Sequence, residues 1–225
     1  MAETTAERQR RCVVVVTGAE SLPSEVLAMI PPGATIIAAD SGLDHALAAG
    51  LTPSVVVGDL DSISAEGLKW AQTNATIEEH PALKDLTDTE LALRRAANLN
   101  PDHLLMLSGG GDRLDHTLAV VGALASRELT SIPLLDALWG AHFIRVLHGP
   151  GRTSIDAEIG STLSIVSIAG TATGVNLTGT RWTLEGAELE PLAGLGVSNV
   201  VEAVVNVAVT TGVIAIFHQP QQSVR

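Results

Sequence analysis

Residues 35–62, TIIAADSGLDHALAAGLTPSVVVGDLDS, carry the most informative pattern for the fold of this chain. An apolar run (35–39) is followed by a helix-like stretch (43–49) and then by a second apolar run (55–57). Continuous apolar runs are typical of strands that are buried on both faces, as in a parallel sheet covered by helices. This stretch therefore predicts one strand–helix–strand unit of an α/β fold.

The same alternation extends outward from this unit over the first half of the chain. The predicted strands span residues 12–16, 35–39, 55–57, 103–107 and 132–135, and the predicted helices span 24–30, 43–49, 65–71, 87–97 and 114–127. Thr87 and Glu90 match a capping box and mark one helix start. We expect an α/β domain over residues 11–148, with an open, mostly parallel sheet and flanking helices.

The pattern changes after residues 148–151, HGPG, which form a strong turn signal. Beyond this point the apolar stretches are short, rich in β-branched residues and separated by Gly, Thr and Asn. They span residues 154–159, 162–168, 175–177, 181–184, 204–210 and 213–217. This half predicts a small all-β sandwich domain over residues 152–219.

The composition excludes several classes of protein. The chain is 46% apolar and 17% charged, which excludes a disordered protein. Its 13 basic residues against 25 acidic ones give a formal net charge of −12, which argues against a nucleic-acid-binding surface. The single cysteine, Cys12, excludes a disulfide framework and a cysteine zinc site. Without an export signal or a membrane-length apolar run, the sequence favours a cytoplasmic globule.

Acidic residues follow the predicted strands where they end. Asp40 follows the second strand, Asp59 and Asp61 lie just after the third, and Asp85 and Asp88 surround the capped helix start. Because the carboxyl ends of parallel strands meet at one edge of a sheet, we expect these side chains to converge. Crowded carboxylates repel one another unless a cation neutralises them, and Mg²⁺ prefers oxygen ligands. The sequence therefore predicts a metal site at this edge.

Groups that can donate to phosphate are predicted at the same edge. Three glycines (109–111) precede a helix, so their N–H groups can approach an anion at its positive end. Arg113 can donate to phosphate through two N–H groups, and Lys84 is one of only two lysines in the chain. Any one of these features is equally explained by a helix cap or a tight turn. Their conjunction favours transfer from a metal-bound nucleotide.

Taken in order, these motifs resemble the thiamine pyrophosphokinase family. Its Asp-Gly-Gly-like turn, Gly-Asp-(Phe/Leu)-Asp-Ser loop, Lys/Gln-Asp-x-Thr-Asp segment and Gly-Gly-Arg-x-Asp-His helix start correspond here to residues 39–42, 58–62, 84–88 and 110–116. In the second half, residues 179–184 and 196–199 are similar to its Gly-Leu-Lys-Tyr-Pro-Leu strand and Gly-x-Ser-Asn turn. The chain departs from the family pattern at Ser41, Asp112 and Val200.

The resemblance implies that a pyrophosphoryl group passes from ATP to the hydroxyl of thiamine, giving thiamine diphosphate and AMP. It also implies a homodimer formed through the β domain, with thiamine held between the subunits. In this sequence Asp59, Asp61 and Asp88 would hold Mg²⁺ and, with Arg113, form the catalytic set. The implied binding residues are Asp40, Lys84, Asp85, Thr87, Gly110, Gly111, Asp115, Trp182, Ser198 and Asn199.

Three alternatives stay open at this point. The same acidic edge suits a pyrophosphokinase that acts on another alcohol, such as hydroxymethylpterin. Asp59-Leu60-Asp61 after a strand is also similar to the nucleophile loop of haloacid-dehalogenase-type phosphohydrolases, although that loop follows the first strand of its fold. The third alternative is a dimer that binds thiamine or a nucleotide without turnover.

Overall fold

The computed structural model describes residues 10–83, 85–111 and 113–218. Within these residues the chain forms twelve β-strands in one mixed sheet, four α-helices and two short 3-10 helices, Ser24–Met29 and Arg127–Leu129. The strands are β1 Cys12–Val16, β2 Thr35–Ala39, β3 Val55–Gly58, β4 Thr76–Glu79, β5 His103–Ser108, β6 Leu134–Trp139, β7 His142–His148, β8 Gly151–Ile155, β9 Thr162–Thr180, β10 Leu184–Leu189, β11 Asn199–Val209 and β12 Thr211–His218. The α-helices are α1 Gly42–Ala48, α2 Ala65–Asn74, α3 Asp88–Ala97 and α4 Leu114–Leu124.

The first half of the sheet is parallel and runs in the order β4-β3-β2-β1-β5-β6. The chain builds outward from β1 to β4 on one side and then returns to add β5 and β6 on the other side. The strand order therefore reverses between β1 and β5, and at such a switch point the two departing loops diverge and leave a crevice. The carboxyl ends of all six strands meet at this edge.

The parallel strands are apolar throughout because helices cover both of their faces. Val13 and Val15 of β1 pack into a core with α3, whereas Val14 and Val16 pack into the core on the opposite face. Alternate residues of one strand thus belong to different cores. A continuous apolar run, rather than an alternating one, is the physical consequence.

The sheet continues into the second half through β7. This strand pairs antiparallel with β6 on one side and with β12 on the other. β8 to β12 enclose a further core that includes Leu163, Leu177 and Val205. The predicted domain division at residues 148–152 stays a prediction, since β7 is shared by both halves of the sheet.

Several predicted elements differ from the structure. β1 and β2 begin and end where the sequence predicts, but β4 and β7 were not predicted. The predicted strand 132–135 is β6, which begins at Leu134 and ends at Trp139, and the helix predicted over 114–127 ends at Leu124. The separate strands predicted over 162–168 and 175–177 are parts of the single strand β9. Among the described residues, no helix has both the length and the apolar character to span a membrane.

Candidate active site

A cavity of about 420 Å³ opens at the carboxyl edge of the parallel strands, at the switch point. Its wall comprises Thr17, Gly18 and Ala19 after β1, Asp40 and Ser41 after β2, Asp59 and Ser62 after β3, Ala82 and 86–89 around the start of α3, Ser108 and Gly111 after β5, His116, Thr117 and Val120 of α4, and Trp139 of β6. The convergence of strand ends predicted from the sequence is therefore present.

Three carboxylates form a group within this cavity. Asp40, Asp59 and Asp88 each offer one oxygen, and these atoms lie within 4.8 Å of one another. Asp40 Oδ1 is buried and has no hydrogen-bond partner among the described residues. Burial raises the pKa of Asp40, the N–H of Ser41 opposes this rise, and the negative charge of Asp88 adds to it. Burial and the negative charge of its neighbours therefore both disfavour the ionised form of Asp40.

Local sequence explains why these carboxylates can meet. Gly58 ends β3 with a φ of +152°, and a Cβ there would lie 3.1 Å from Asp40 Cβ and 3.2 Å from Asp88 Oδ1. The predicted capping box is confirmed: Glu90 N–H donates to Thr87 Oγ1 at 3.2 Å, and Thr87 N–H donates to Glu90 Oε2 at 2.8 Å. This cap holds Asp88 in the first turn of α3.

Asp61 lies outside the three-carboxylate group. Its side chain is exposed and accepts a hydrogen bond from the Ser62 hydroxyl at 2.8 Å, and its N–H donates to Asp59 Oδ1 at 3.4 Å. Leu60, between the two acids, has a φ of +66° and packs against the core beside α1 and α2. The structure thus brings Asp59 and Asp88 together with Asp40 rather than with Asp61, and the metal role of Asp61 stays a prediction.

Helix α1 holds two of the loops that line the cavity. Asp44 accepts hydrogen bonds from Ser64 N–H at 2.8 Å and from Ser64 Oγ at 2.6 Å, and Ser64 in turn caps α2 by accepting from Gly67 N–H at 2.9 Å. His45 Nε2 lies 3.1 Å from the carbonyl oxygen of Ala19, whose φ is +85°. These contacts fix the loop after β3 and the loop after β1.

The glycine turn is only partly open to the cavity. Gly110 and Gly111 have φ values of +85° and +71°, which favour glycine, but only Gly111 lines the cavity wall. Gly110 N–H donates to Ser108 Oγ at 3.3 Å, and its carbonyl accepts from Glu20 N–H at 3.3 Å. The Glu20 side chain lies in the space that a Cβ on Gly111 would occupy. The turn is thus braced by the loop after β1.

Arg113, which is the predicted phosphate-binding cation that the structure describes, does not line the cavity. Arg113 donates to Asp115 through Nε at 3.2 Å and Nη2 at 2.6 Å, and both side chains are mostly exposed. The hydrogen bond from Arg113 lowers the pKa of Asp115. Asp85 is exposed and also lies outside the wall. Lys84 and Asp112 lie outside the described residues.

The predicted thiamine-binding residues form a separate cluster on the β half. Asn199 is buried, and its amide accepts from Trp182 N–H at 3.1 Å and donates to Trp182 O at 2.6 Å. The Trp182 side chain is 58% exposed, with the Arg181 guanidinium 5.7 Å from its ring centroid. Ser198 has a φ of +60°, and its N–H donates to Ser164 Oγ at 3.0 Å. None of Trp182, Ser198 and Asn199 lines the described wall of the cavity.

Several residues of the cavity wall were not predicted from the sequence. Thr17 and Gly18 directly follow β1. Residues that follow a parallel strand are expected at the ligand-binding edge of the sheet, so the sequence already contained the signal for both. His116 and Val120 are four residues apart on α4, a spacing that places both on one helix face. Trp139 was missed because the end of β6 was predicted too early.

The fold and the cavity define the class of the protein: a parallel α/β unit with an acidic cavity at its carboxyl edge, joined to an all-β unit. Two family models match the chain. They are "Thiamin pyrophosphokinase, catalytic domain" over residues 29–134 and "Thiamin pyrophosphokinase, vitamin B1 binding domain" over residues 152–214. Since together they cover well over half of the chain, it belongs to the thiamine pyrophosphokinase family.

Individual relatives agree with this assignment. The thiamine pyrophosphokinase of Bacillus subtilis (strain 168) is 29% identical over 122 residues, which are 54% of this chain and 57% of that protein, so the match spans little more than half of the relative. A crystal structure from Bacillus subtilis has a TM-score of 0.80 and 21% identity, covering 94% of this chain and 100% of that chain. A crystal structure of thiamin pyrophosphokinase from Geobacillus thermodenitrificans has a TM-score of 0.78 and 22% identity, and the match covers 94% of this chain and 99% of that chain. At these identities the structural likeness concerns the fold.

Proposed function

We propose that the protein is a thiamine diphosphokinase, which transfers a pyrophosphoryl group from Mg-ATP to the hydroxyl of thiamine and produces thiamine diphosphate and AMP. The observation that carries this proposal is the group of Asp40, Asp59 and Asp88 at the switch point of a chain that belongs to the thiamine pyrophosphokinase family. Carboxylates at this place suit a metal-bound phosphate chain.

The three carboxylates fit a hard divalent cation. All donors are oxygens, and the buried Asp40 Oδ1 has no hydrogen-bond partner among the described residues that a cation would have to displace. A cation also removes the repulsion that contributes to the raised pKa of Asp40. When bound, Mg²⁺ supplies charge neutralisation for the ATP phosphates and for the charge that develops during transfer.

The chain's own residues would position the reactants. Ser41 and Ser62 line the cavity beside the carboxylates, and the Ser41 hydroxyl can donate to a phosphate oxygen. Arg113 and Lys84 keep the phosphate-binding roles that the family motif implies, and Arg113 would then exchange Asp115 for phosphate. The thiamine hydroxyl attacks the β-phosphorus in line, AMP leaves, and a carboxylate of the 59–61 loop accepts the hydroxyl proton.

A homodimer completes the proposed thiamine site. Trp182, Ser198 and Asn199 are not among the described residues of the cavity wall, and in the proposed dimer they contact thiamine from the partner subunit. Close to them in sequence, Leu192, Leu195 and Val197 are 67%, 54% and 47% exposed. Exposed apolar side chains of this size favour a protein interface. The proposed dimer therefore forms through the all-β domain, which we place at residues 152–219.

The test is a product assay on the purified protein with Mg-ATP and thiamine, hydroxymethylpterin or no acceptor. We expect thiamine-dependent formation of AMP and thiamine diphosphate in equal amounts. AMP formed only with the pterin would identify another acceptor, phosphate release without acceptor would identify a phosphohydrolase, and ATP binding without products would identify a binding protein. Asp88→Asn should abolish turnover, and Asp156→Asn, at an exposed acid of the β half, is the matched control.

A further inference from the structure

The two ends of the cavity differ in chemistry. One end holds the carboxylates of Asp40, Asp59 and Asp88. The other end is formed at β6 and α4, where Trp139 and Val120 present apolar groups. A ligand that fills the cavity therefore needs a charged end that suits a metal site and an apolar end that suits an indole.

Trp139 is held in place by the neighbouring strand and by the core. It is half-buried, ends β6 in register with Ser108 of β5, and packs against the core shared with α3. A Cβ added to Gly110 would lie 3.4 Å from Trp139 Cδ1, which is an ordinary van der Waals separation, so the glycine turn packs beside the indole ring. Among the described wall residues, Trp139 is the only Phe, Tyr or Trp.

The distance between the two ends follows from the strand order. Asp40 follows β2 and Trp139 ends β6, and the order β2-β1-β5-β6 places three strand intervals between them. At roughly 4.8 Å per interval the separation is about 14 Å. This is comparable with the reach of a nucleoside triphosphate from its outer phosphates to its base, and it exceeds the reach of thiamine from its hydroxyl to its pyrimidine.

We infer that Trp139 is the base-binding residue of the cavity: the planar base of a purine nucleotide stacks on the indole while its phosphates extend to the three carboxylates. The inference deepens the proposed function and rests on it for the identity of the nucleotide. It adds a residue that none of the sequence motifs includes. Stacking of a base on an aromatic side chain depends on the π-face of the ring, so a phenylalanine retains most of it and a leucine does not.

The test compares two ligands that differ only in the base. Binding of AMP and of ribose 5-phosphate is measured by calorimetry with Mg²⁺ present, for the wild type, Trp139→Leu and Trp139→Phe. We expect Trp139→Leu to weaken AMP binding about tenfold or more, and Trp139→Phe to weaken it less than threefold. Neither variant should change the affinity for ribose 5-phosphate.

Controls separate stacking from a loss of fold and from the proposed function. Trp70→Leu, on α2 and outside the described cavity wall, should leave AMP affinity unchanged, and melting curves verify that each variant folds. If Trp139→Leu does not fold, AMP binding to the wild type and to Trp139→Phe is followed by the quenching of tryptophan fluorescence. Trp139→Phe should abolish this quenching. Equal affinities for AMP in all folded variants, or a selective loss of thiamine affinity, would overturn the inference. Base-dependent binding without turnover would refute the proposed function and leave the base-binding role intact.

Discussion

Asp44 and Ser64 are joined by two hydrogen bonds that both end on the Asp44 carboxylate, one from Ser64 N–H at 2.8 Å and one from Ser64 Oγ at 2.6 Å. A Cβ at Gly67 would overlap Asp44 Oδ1, so a side chain there would displace the Asp44 carboxylate from its position beside Ser64. Asp44 is not itself among the described residues of the cavity wall or a member of the three-carboxylate group. Its two hydrogen bonds hold Ser64, the residue through which the loop that carries Asp59 leads into α2.

Asp44→Ala should disturb metal binding more than folding. Loss of two hydrogen bonds to a carboxylate costs about 1–3 kcal/mol of unfolding free energy. The loosened loop should also raise the Mg²⁺ concentration needed for half-maximal turnover and lower kcat about tenfold, because a small misplacement at a reacting centre is costly. Asp44→Asn, which keeps an acceptor for Ser64, is the control. A stability loss in Asp44→Ala with unchanged Mg²⁺ dependence would show a purely structural role.

The three-carboxylate group predicts a specific response to Mg²⁺. Mg²⁺ should raise the melting temperature of the wild type and of Asp61→Asn, but not that of Asp40→Asn or Asp88→Asn. The reason is that only the last two variants remove members of the group in the cavity. A Mg²⁺ shift lost in Asp61→Asn and kept in Asp40→Asn would restore the ligand set expected from the family motif.

The raised pKa of Asp40 gives the sign of a pH effect. A carboxyl group whose folded pKa is raised contributes stability that is lost as pH increases through that pKa. Without Mg²⁺, Asp40→Asn should therefore be more stable than the wild type at neutral pH, and the difference should shrink in acid, where Asp40 is protonated. Melting curves across acid and neutral pH check this. An Asp40→Asn protein less stable than the wild type at neutral pH would contradict it.

A buried network of charged residues near the amino ends of β5 and β6 predicts a second pH effect. Asp136 is 2% exposed and accepts from Arg145 at 2.7 and 2.8 Å, with His103 Nε2 at 3.0 Å. Burial by itself lowers the pKa of His103. The hydrogen bond to Asp136 and the contacts with Cys12 raise this pKa by a larger amount, so that it lies at about 9. The protonated histidine thus stabilises the fold.

The stability due to His103 should be fully present below pH 6.5 and lost as pH rises through about 9. The expected loss of unfolding free energy is about 1–2 kcal/mol, which allows for partial solvent screening. Burial lowers the pKa values of His148 and His218, so both stay neutral in this window. Urea titrations across the window should show the loss in the wild type and not in His103→Gln. The same slope in both proteins would disprove the assignment.

Arg113 offers a test of the phosphate role that the family motif implies. Its pair with Asp115 is exposed, so Arg113→Met should change unfolding free energy by less than about 1 kcal/mol. If Arg113 moves to the phosphates, its removal should lower kcat/KM for ATP about a hundredfold. Arg94→Met, which breaks the exposed pair with Glu128, is the matched control. Unchanged kinetics in Arg113→Met would show that Arg113 pairs with Asp115 and has no role in binding phosphate.

The sequence was most informative where one physical force dominates. β1 and β2 are buried on both faces and their bounds were predicted, whereas β4 is a partly exposed edge strand, TIEE, that resembles a loop. β7 carries Arg145, which can be buried only because Asp136 lies on β6, and no local pattern reveals that pairing. Asp59 and Asp61 illustrate the same limit at the site. The positive φ of Leu60 decides which of them faces Asp88, and sequence spacing contains no sign of it.

The transfer itself is tested most directly with ATP labelled at the γ-phosphate and incubated with Mg²⁺, thiamine and the purified protein. We expect the label to appear in thiamine diphosphate and AMP to be formed unlabelled, because the β- and γ-phosphates move together as one pyrophosphoryl group. Label recovered as inorganic phosphate, or as thiamine monophosphate with ADP as the second product, would show that no pyrophosphoryl group is transferred to thiamine.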